Sequence, residues 1–121
     1  MTTATLDLQA GRFVQTQKAV RKYLPLAPND PRAYYLLGES HRRTNDPKQR
    51  DDAVGHYRKA IALDPTFADA YRGLGTQLYQ AGDRGAAREA FRRYLDLAPQ
   101  AKDRAYIERI IEELAVVEKT S

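Results

Sequence analysis

Ala68-Asp69-Ala70-Tyr71-Arg72-Gly73-Leu74-Gly75 rewrites Pro31-Arg32-Ala33-Tyr34-Tyr35-Leu36-Leu37-Gly38, which stands 37 residues earlier (71 − 34). The shared frame is Tyr-x-x-Leu-Gly. Downstream of each copy comes an alanine followed four residues on by an aromatic: Ala53 and Tyr57 in the first, Ala87 and Phe91 in the second. The copies close on Pro65 and Pro99. Self-similarity at a period of this size marks stacked supersecondary units, each unable to bury its own apolar face alone. Such a chain is built to present surface, so a binding role is expected ahead of a catalytic one.

Prolines and acidic caps set the element limits. In Pro28-Asn29-Asp30-Pro31, Asp30 is placed to cap a helix and Pro31 to start one, where a missing N–H costs nothing. From Pro31 to about Arg43, Ala33, Tyr34, Leu37 and Gly38 fall at helical spacing on one face. Gly38 and Gly75 sit mid-helix, where glycine costs about 1 kcal/mol against alanine. A glycine kept twice at one register predicts close approach of a neighbouring helix. Thr44-Asn45-Asp46-Pro47 is the next break, with Asp46 as cap and Pro47 opening a second helix. That helix carries Ala53, Tyr57, Ala60 and Ile61 to about Leu63, and Asp64-Pro65 ends it, because a residue before proline avoids helical angles. The second copy predicts a helix over Ala68–Ala81 with Tyr71, Leu74, Gly75 and Leu78 inward. A turn at Gly82-Asp83 follows, then a helix over Arg84–Leu97 presenting Ala87, Phe91 and Tyr94.

The flanks hold partial copies. Gln9-Ala10-Gly11 matches Gln80-Ala81-Gly82, and the run Arg21 to Pro28 (RKYLPLAP) matches Arg92 to Pro99 (RRYLDLAP). Arg12–Leu24 therefore reads as the second helix of a first repeat. Its partner has only Thr2–Gln9 to draw on, with Thr3 and Asp7 where apolar anchors belong. The first repeat is expected to be truncated or poorly formed, exposing Phe13, Val20 and Tyr23. At the other end, Ala105–Glu118 sets Ile107, Ile110, Ile111, Leu114 and Val117 on one face and Glu108, Glu112, Glu113 and Lys119 on the other. A terminal repeat needs such a cap, apolar inside and polar outside, and Asp103 is its expected N-cap.

Composition narrows the function classes. The 121 residues make one domain by length. Charged residues are 30%, and no apolar run approaches the roughly 18 residues of a spanning helix. Met1–Gly11 lacks the basic and apolar regions of a signal peptide. There are no cysteines, so no disulfide or thiolate site is available. The net charge is +4; up to Ala101 there are 16 Lys/Arg against 11 Asp/Glu, and from Lys102 onward 4 against 5. This mild basic excess in the repeats favours acidic partners and falls short of the stripe that nucleic-acid binding needs. No feature fixes the compartment; cytoplasmic is the default, and periplasmic follows if the chain is part of an envelope protein.

These motifs resemble the tetratricopeptide repeat (TPR), whose pattern is an aromatic, Leu-Gly three and four residues on, a hydrophobe three later, an alanine, an aromatic and a closing proline. From Ala68 to Ala101, Tyr71, Leu74, Gly75, Leu78, Ala87, Phe91 and Pro99 match, and Tyr94 departs, being larger than the usual alanine. From Pro31 to Phe67, Tyr34, Leu37, Gly38, Ala53, Tyr57, Ala60 and Pro65 match. That copy departs at His41, where a hydrophobe or Tyr belongs. It also carries a three-residue insertion around Asn45–Gln49, since Gly38 to Ala53 is 15 residues and Gly75 to Ala87 is 12. The resemblance implies an all-α fold, a right-handed α-solenoid of antiparallel helix pairs, with about two and a half repeats and a C-terminal capping helix. Its parts would be a short N-terminal segment (1–11), the second helix of a truncated repeat (12–30), a repeat with the insertion (31–67), a repeat (68–101), and the cap and tail (102–121).

In this family the first helix of each pair lines a concave groove. The matching positions are Arg32, Tyr35, Glu39, Arg42 and Arg43, then Asp69, Arg72, Thr76, Tyr79 and Gln80. A polar trough with two tyrosines suits an extended peptide or helix with acidic side chains, with Arg42 and Arg43 as electrostatic anchors. The Lys/Asn clamp that some members use on chaperone tails is absent, its positions holding Tyr35, Glu39, Asp69 and Gly73. Arg21-Lys22, Arg58-Lys59 and Arg92-Arg93 recur at one register; cations near helix C-termini complement the dipole, and a convex basic ridge is the sharper alternative. No zinc spacing joins His41 and His56, Asp51-Asp52 reads as first-turn acid, and no phosphate loop or nucleophile elbow is present. The expected function is a non-catalytic protein-interaction scaffold without cofactor or metal. Two alternatives stand beside it: a substrate-recruiting region of a larger bacterial enzyme or lipoprotein such as an envelope metalloprotease, and homodimerisation through the N-terminal half-repeat.

Overall fold

A computed structural model describes residues 2–44 and 46–120, with side chains described to residue 115. The described residues hold seven helices and no strand: α1 Thr2–Gln9, α2 Phe13–Tyr23, α3 Pro31–Arg43, α4 Arg50–Leu63, α5 Ala68–Ala81, α6 Arg84–Leu97 and α7 Arg104–Thr120. They form two units, Met1–Pro65 with α1 to α4 and Thr66–Ser121 with α5 to α7. This is the all-α helical-repeat fold expected from the sequence.

In the first unit α3 packs on α4, α2 on α3 and α1 on α2. Asp30 caps α3 by accepting the Arg32 N–H at 3.0 Å, with Pro31 at the first helical position. Asp46 caps in the same way, accepting from Lys48 N–H at 3.0 Å, but Pro47–Gln49 forms a 3-10 turn and α4 begins only at Arg50. The insertion is thus absorbed as one tight turn ahead of the helix. Asn45 lies outside the described residues.

The two conserved-register glycines have a steric cause. A Cβ on Gly38 would stand 2.8 Å from Tyr57 Cε1, and one on Gly75 2.8 Å from Phe91 Cδ1 and Cε1. Each second-helix aromatic packs against the first helix at its glycine, and both rings are buried.

α1 is short, 8 residues against 14 in α5, but the anchors and the exposure expected at this end need correction. α1 is a helix packed on α2 and α3, and its anchors are Ala4 and Leu8, both buried, not Thr3 and Asp7. Ala4 occupies the register of Gly75, and Val20 the register of Phe91. Val20 is shorter than an aromatic, which leaves room for the alanine methyl in the same core cluster. α1 and α5 also end alike. Gly11 (φ 79°) and Gly82 (φ 84°) adopt the left-handed conformation, and the Arg12 and Asp83 N–H groups reach back to Asp7 and Leu78 carbonyls at 2.8 and 3.0 Å. Val20 is therefore fully buried, and Phe13 and Tyr23 are half-buried against the core. The exposed patch from which self-association was expected is covered by α1.

In the second unit α5 packs on α6 and α6 on α7. Ile107 and Leu114 of α7 are fully buried, while Glu108, Glu112 and Glu113 are exposed. The Val117 and Lys119 side chains lie outside the described residues. Tyr94, the oversized residue of this repeat, donates its hydroxyl to Asp103 Oδ1 at 2.7 Å, just ahead of α7. Tyr23, at the same register, donates to Asp30 Oδ2 at 2.7 Å, just ahead of α3. Each of these tyrosines ties the end of a second helix to an aspartate immediately ahead of the next helix.

Candidate functional site

On α3 the polar face is organised by its own side chains. Tyr57 of α4, its ring on Gly38, donates its hydroxyl to Glu39 Oε1. Arg42 donates to Glu39 Oε2 at 2.8 Å and Oε1 at 3.2 Å, and to the Tyr57 hydroxyl at 3.1 Å. Burial alone would lower the Arg42 pKa, but Glu39 and Tyr57 outweigh it and hold the guanidinium more firmly charged. Burial, then Glu39, pushes the Tyr57 hydroxyl pKa up, so it stays a neutral donor. Tyr35 is half-buried with its ring centroid 6.1 Å from that of Tyr57. Glu39, Arg42, Tyr57 and Tyr35 thus form one cluster. One partner of this cluster was not visible from groove positions alone: Tyr57 comes from the second helix, and only its register opposite Gly38 signals its reach.

The remaining α3 positions go elsewhere. Arg32 is exposed and forks onto Asp30, Nε–Oδ1 3.2 Å and Nη2–Oδ2 3.1 Å. Arg43, expected as an anchor beside Arg42, instead turns to the first repeat. Its Nη1 donates to the Leu8 carbonyl at 3.3 Å, in the last turn of α1, and its guanidinium lies 5.7 Å from the Phe13 ring centroid.

On α5, Asp69, Tyr79 and Gln80 are exposed. Arg72 is ion-paired with Asp103, and the Thr76 hydroxyl donates to the Arg72 carbonyl at 3.0 Å. Burial opposes ionisation of Asp103, but Arg72 and Tyr94 prevail and its pKa is lowered. Burial and the bond to Asp103 push Tyr94 up to about 12. Gln77 Nε2 donates to Gln80 Oε1 at 3.3 Å.

The recurrent basic pairs receive a packing explanation. Lys59 Nζ lies 5.8 Å from the Tyr34 ring centroid and the Arg93 guanidinium 5.9 Å from that of Tyr71, the same pair of registers in each repeat. The dipole account holds for α2, whose last turn contains Arg21 and Lys22, but neither α4 nor α6 has a base in its last turn.

His41 and His56 are brought together, which the sequence did not reveal. Their rings stack with centroids 5.3 Å apart and planes 11° apart. Among the described residues no group of three or more His, Cys, Asp or Glu is placed to hold a metal ion, and no helix is long and apolar enough to cross a membrane.

Comparison with known proteins adds the following. A family model described as TPR repeat matches residues 48–82. The chain is 34% identical over 79 residues, 65% of its length, to a protein named Probable biofilm formation methyltransferase WspC from Pseudomonas putida. It is 32% identical over 89 residues, 70% of its length, to Protein O-mannosyl-transferase TMTC1 of Mus musculus. It spans 18% and 9% of those two proteins. Among solved structures, the first TPR of Spaghetti (RPAP3) bound to the HSP90 peptide SRMEEVD superposes with a TM-score of 0.82, covering 93% of this chain and 89% of that one at 18% identity. At that identity the likeness concerns the fold.

Proposed function

The chain belongs to the tetratricopeptide-repeat family, and from that premise we propose that it is a non-catalytic scaffold that docks a peptide or helix of a partner protein on the faces of its first helices. The observation that carries this reading is the pre-set polar cluster on α3, where Glu39, Arg42 and Tyr57 fix one another through four hydrogen bonds. Side chains already held in place lose little freedom when a ligand arrives. The contacts fall to residues around such clusters: Tyr35 and Arg32 on α3, and Asp69, Thr76 and Tyr79 on α5. Glu39, Arg42 and Arg72 act as positioning residues, and Arg43 ties α3 to α1. The similar RPAP3 domain holds a peptide with two adjacent glutamates. Acidic side chains on the partner would also suit the +4 charge of this chain.

A photo-crosslinking amino acid at Arg32 or Tyr79, in the source cells, tests the reading. One discrete protein adduct is expected at both positions and none at Arg92, exposed on α6. Equal labelling at Arg92, or no adduct at either face, would overturn it.

A second reading is favoured by the proportions of the relatives. The matched stretch is a small part of two proteins named as transferases, so the repeats would recruit substrate for chemistry on another domain; the envelope metalloprotease considered above is one form of this. An adduct internal to a longer polypeptide would decide for it.

A further inference from the structure

We propose that the stacked His41–His56 pair is a proton-operated latch on α3 and α4, holding the two helices together while both rings are neutral and loosening them in mildly acidic medium. This latch rests on the geometry of α3 and α4 alone and does not depend on the docking reading.

Two departures from the repeat pattern meet here. His41 stands three residues after Gly38, at the register Leu78 fills after Gly75. The insertion supplies Gln49, and its Oε1 lies 2.8 Å from His41 Nδ1. With Nδ1 donating to that oxygen, Nε2 carries the lone pair of a neutral ring. His41 is only 7% exposed, and Nε2 is buried without a hydrogen-bond partner. A proton added there becomes a buried N–H with no acceptor. Its neighbour offers none: the His56 ring stacks face-on, with planes 11° apart.

Charge on the pair is opposed from several elements. His41 on α3 and Arg21 on α2 disfavour a charged His56, whereas Asp52, one turn earlier on α4, favours it. Gln49, from the 3-10 turn, is neutral. Burial is the largest influence, and the His56 pKa is lowered. A histidine whose folded pKa lies below its unfolded value stabilises fully above the unfolded value, about 6.5, and that stability is lost as pH falls through the folded one. Carboxylates titrate lower. Asp30 is held down chiefly by its bond to Arg32, and Asp103 is lowered as well. The interval from about pH 7.5 to 5.5 spans the ordinary histidine range and lies above the ordinary carboxylate range.

The experiment is a proton NMR titration of the imidazole Hε1 signals of the intact chain, paired with urea unfolding at the two ends of that interval. The unfolding constant of the wild type is expected to rise on acidification, because the unfolded chain takes up the His56 proton more readily than the folded one. His41→Leu, which restores the apolar register and removes the His41 charge that opposes a charged His56, should reduce that rise. The idea is overturned if His41→Leu and wild type respond to acid alike, or if His56 of the wild type titrates at or above about 6.5. Should the variant fail to fold, the wild-type titration decides by itself.

Discussion

Replacing Gly75 or Gly38 by alanine should destabilise the protein, although alanine is the better helix former. In an exposed helix the exchange gains about 1 kcal/mol. Gly55, in α4, meets nothing within 4 Å of an added Cβ, so Gly55→Ala should realise that gain in full. At Gly75 the new Cβ would meet two Phe91 ring carbons at 2.8 Å. Ordinary contact begins near 3.4 Å, so ring or helix must retreat by roughly 0.6 Å, and overpacking of this kind costs about 1–3 kcal/mol. Phe91 is 2% exposed, which leaves the ring little space to yield. The net loss is about 0–2 kcal/mol for Gly75→Ala. Gly38→Ala should lose more, because displacing the Tyr57 ring also disturbs its bonds to Glu39 and Arg42. The measurement is urea unfolding followed by circular dichroism on the intact chain. The expected order is Gly55→Ala above wild type, then Gly75→Ala, then Gly38→Ala. If both repeat glycines tolerate alanine as well as Gly55 does, close helix approach is not why glycine stands at that register.

Two further outcomes follow from the inter-helix ties. Tyr94→Phe removes the hydroxyl that Asp103 accepts at 2.7 Å; a charge-assisted bond of this kind is worth about 1.5–3 kcal/mol, and the retained Arg72 pair should keep the loss at or below about 2 kcal/mol in urea unfolding. With Tyr94 pushed up to about 12 against an unfolded value near 10, the tie is intact below about pH 10 and is lost as pH rises from there toward 12; absorbance titration should show one fewer late-ionising phenol in Tyr94→Phe than in the wild type. Arg43→Ala releases the Leu8 carbonyl and the Phe13 ring; amide exchange should quicken in α1 and the start of α2 and stay unchanged in α5 and α6, and a change confined to α3 would contradict the assigned role.

The repeat itself was legible in the residues. Period, glycine register, proline stops and caps are local properties, and they placed α5 and α6 at the ends the structure gives them. Proximity across registers was not legible. Ala4 could be read as an anchor only once Val20 was known to leave it room, since the pattern demands a summed volume at two positions and not one residue type at either. The polar face misled for the same reason. Arg42 and Arg72 read as available cations because helical spacing reports which face a residue occupies, and says nothing of the carboxylate another segment brings to it. Glu39 with Tyr57 takes up the first and Asp103 the second. The His41–His56 stack is the extreme case: two residues 15 apart (56 − 41) on different helices, the first an exception to the repeat pattern, made neighbours by a helix hairpin whose turn also delivers Gln49. Sequence by itself determined that this chain folds as paired helices with a glycine–aromatic contact in each full repeat, because backbone geometry and burial act on near neighbours. Tertiary structure alone decided which charges are already spent on internal partners, because pairing depends on distance in space.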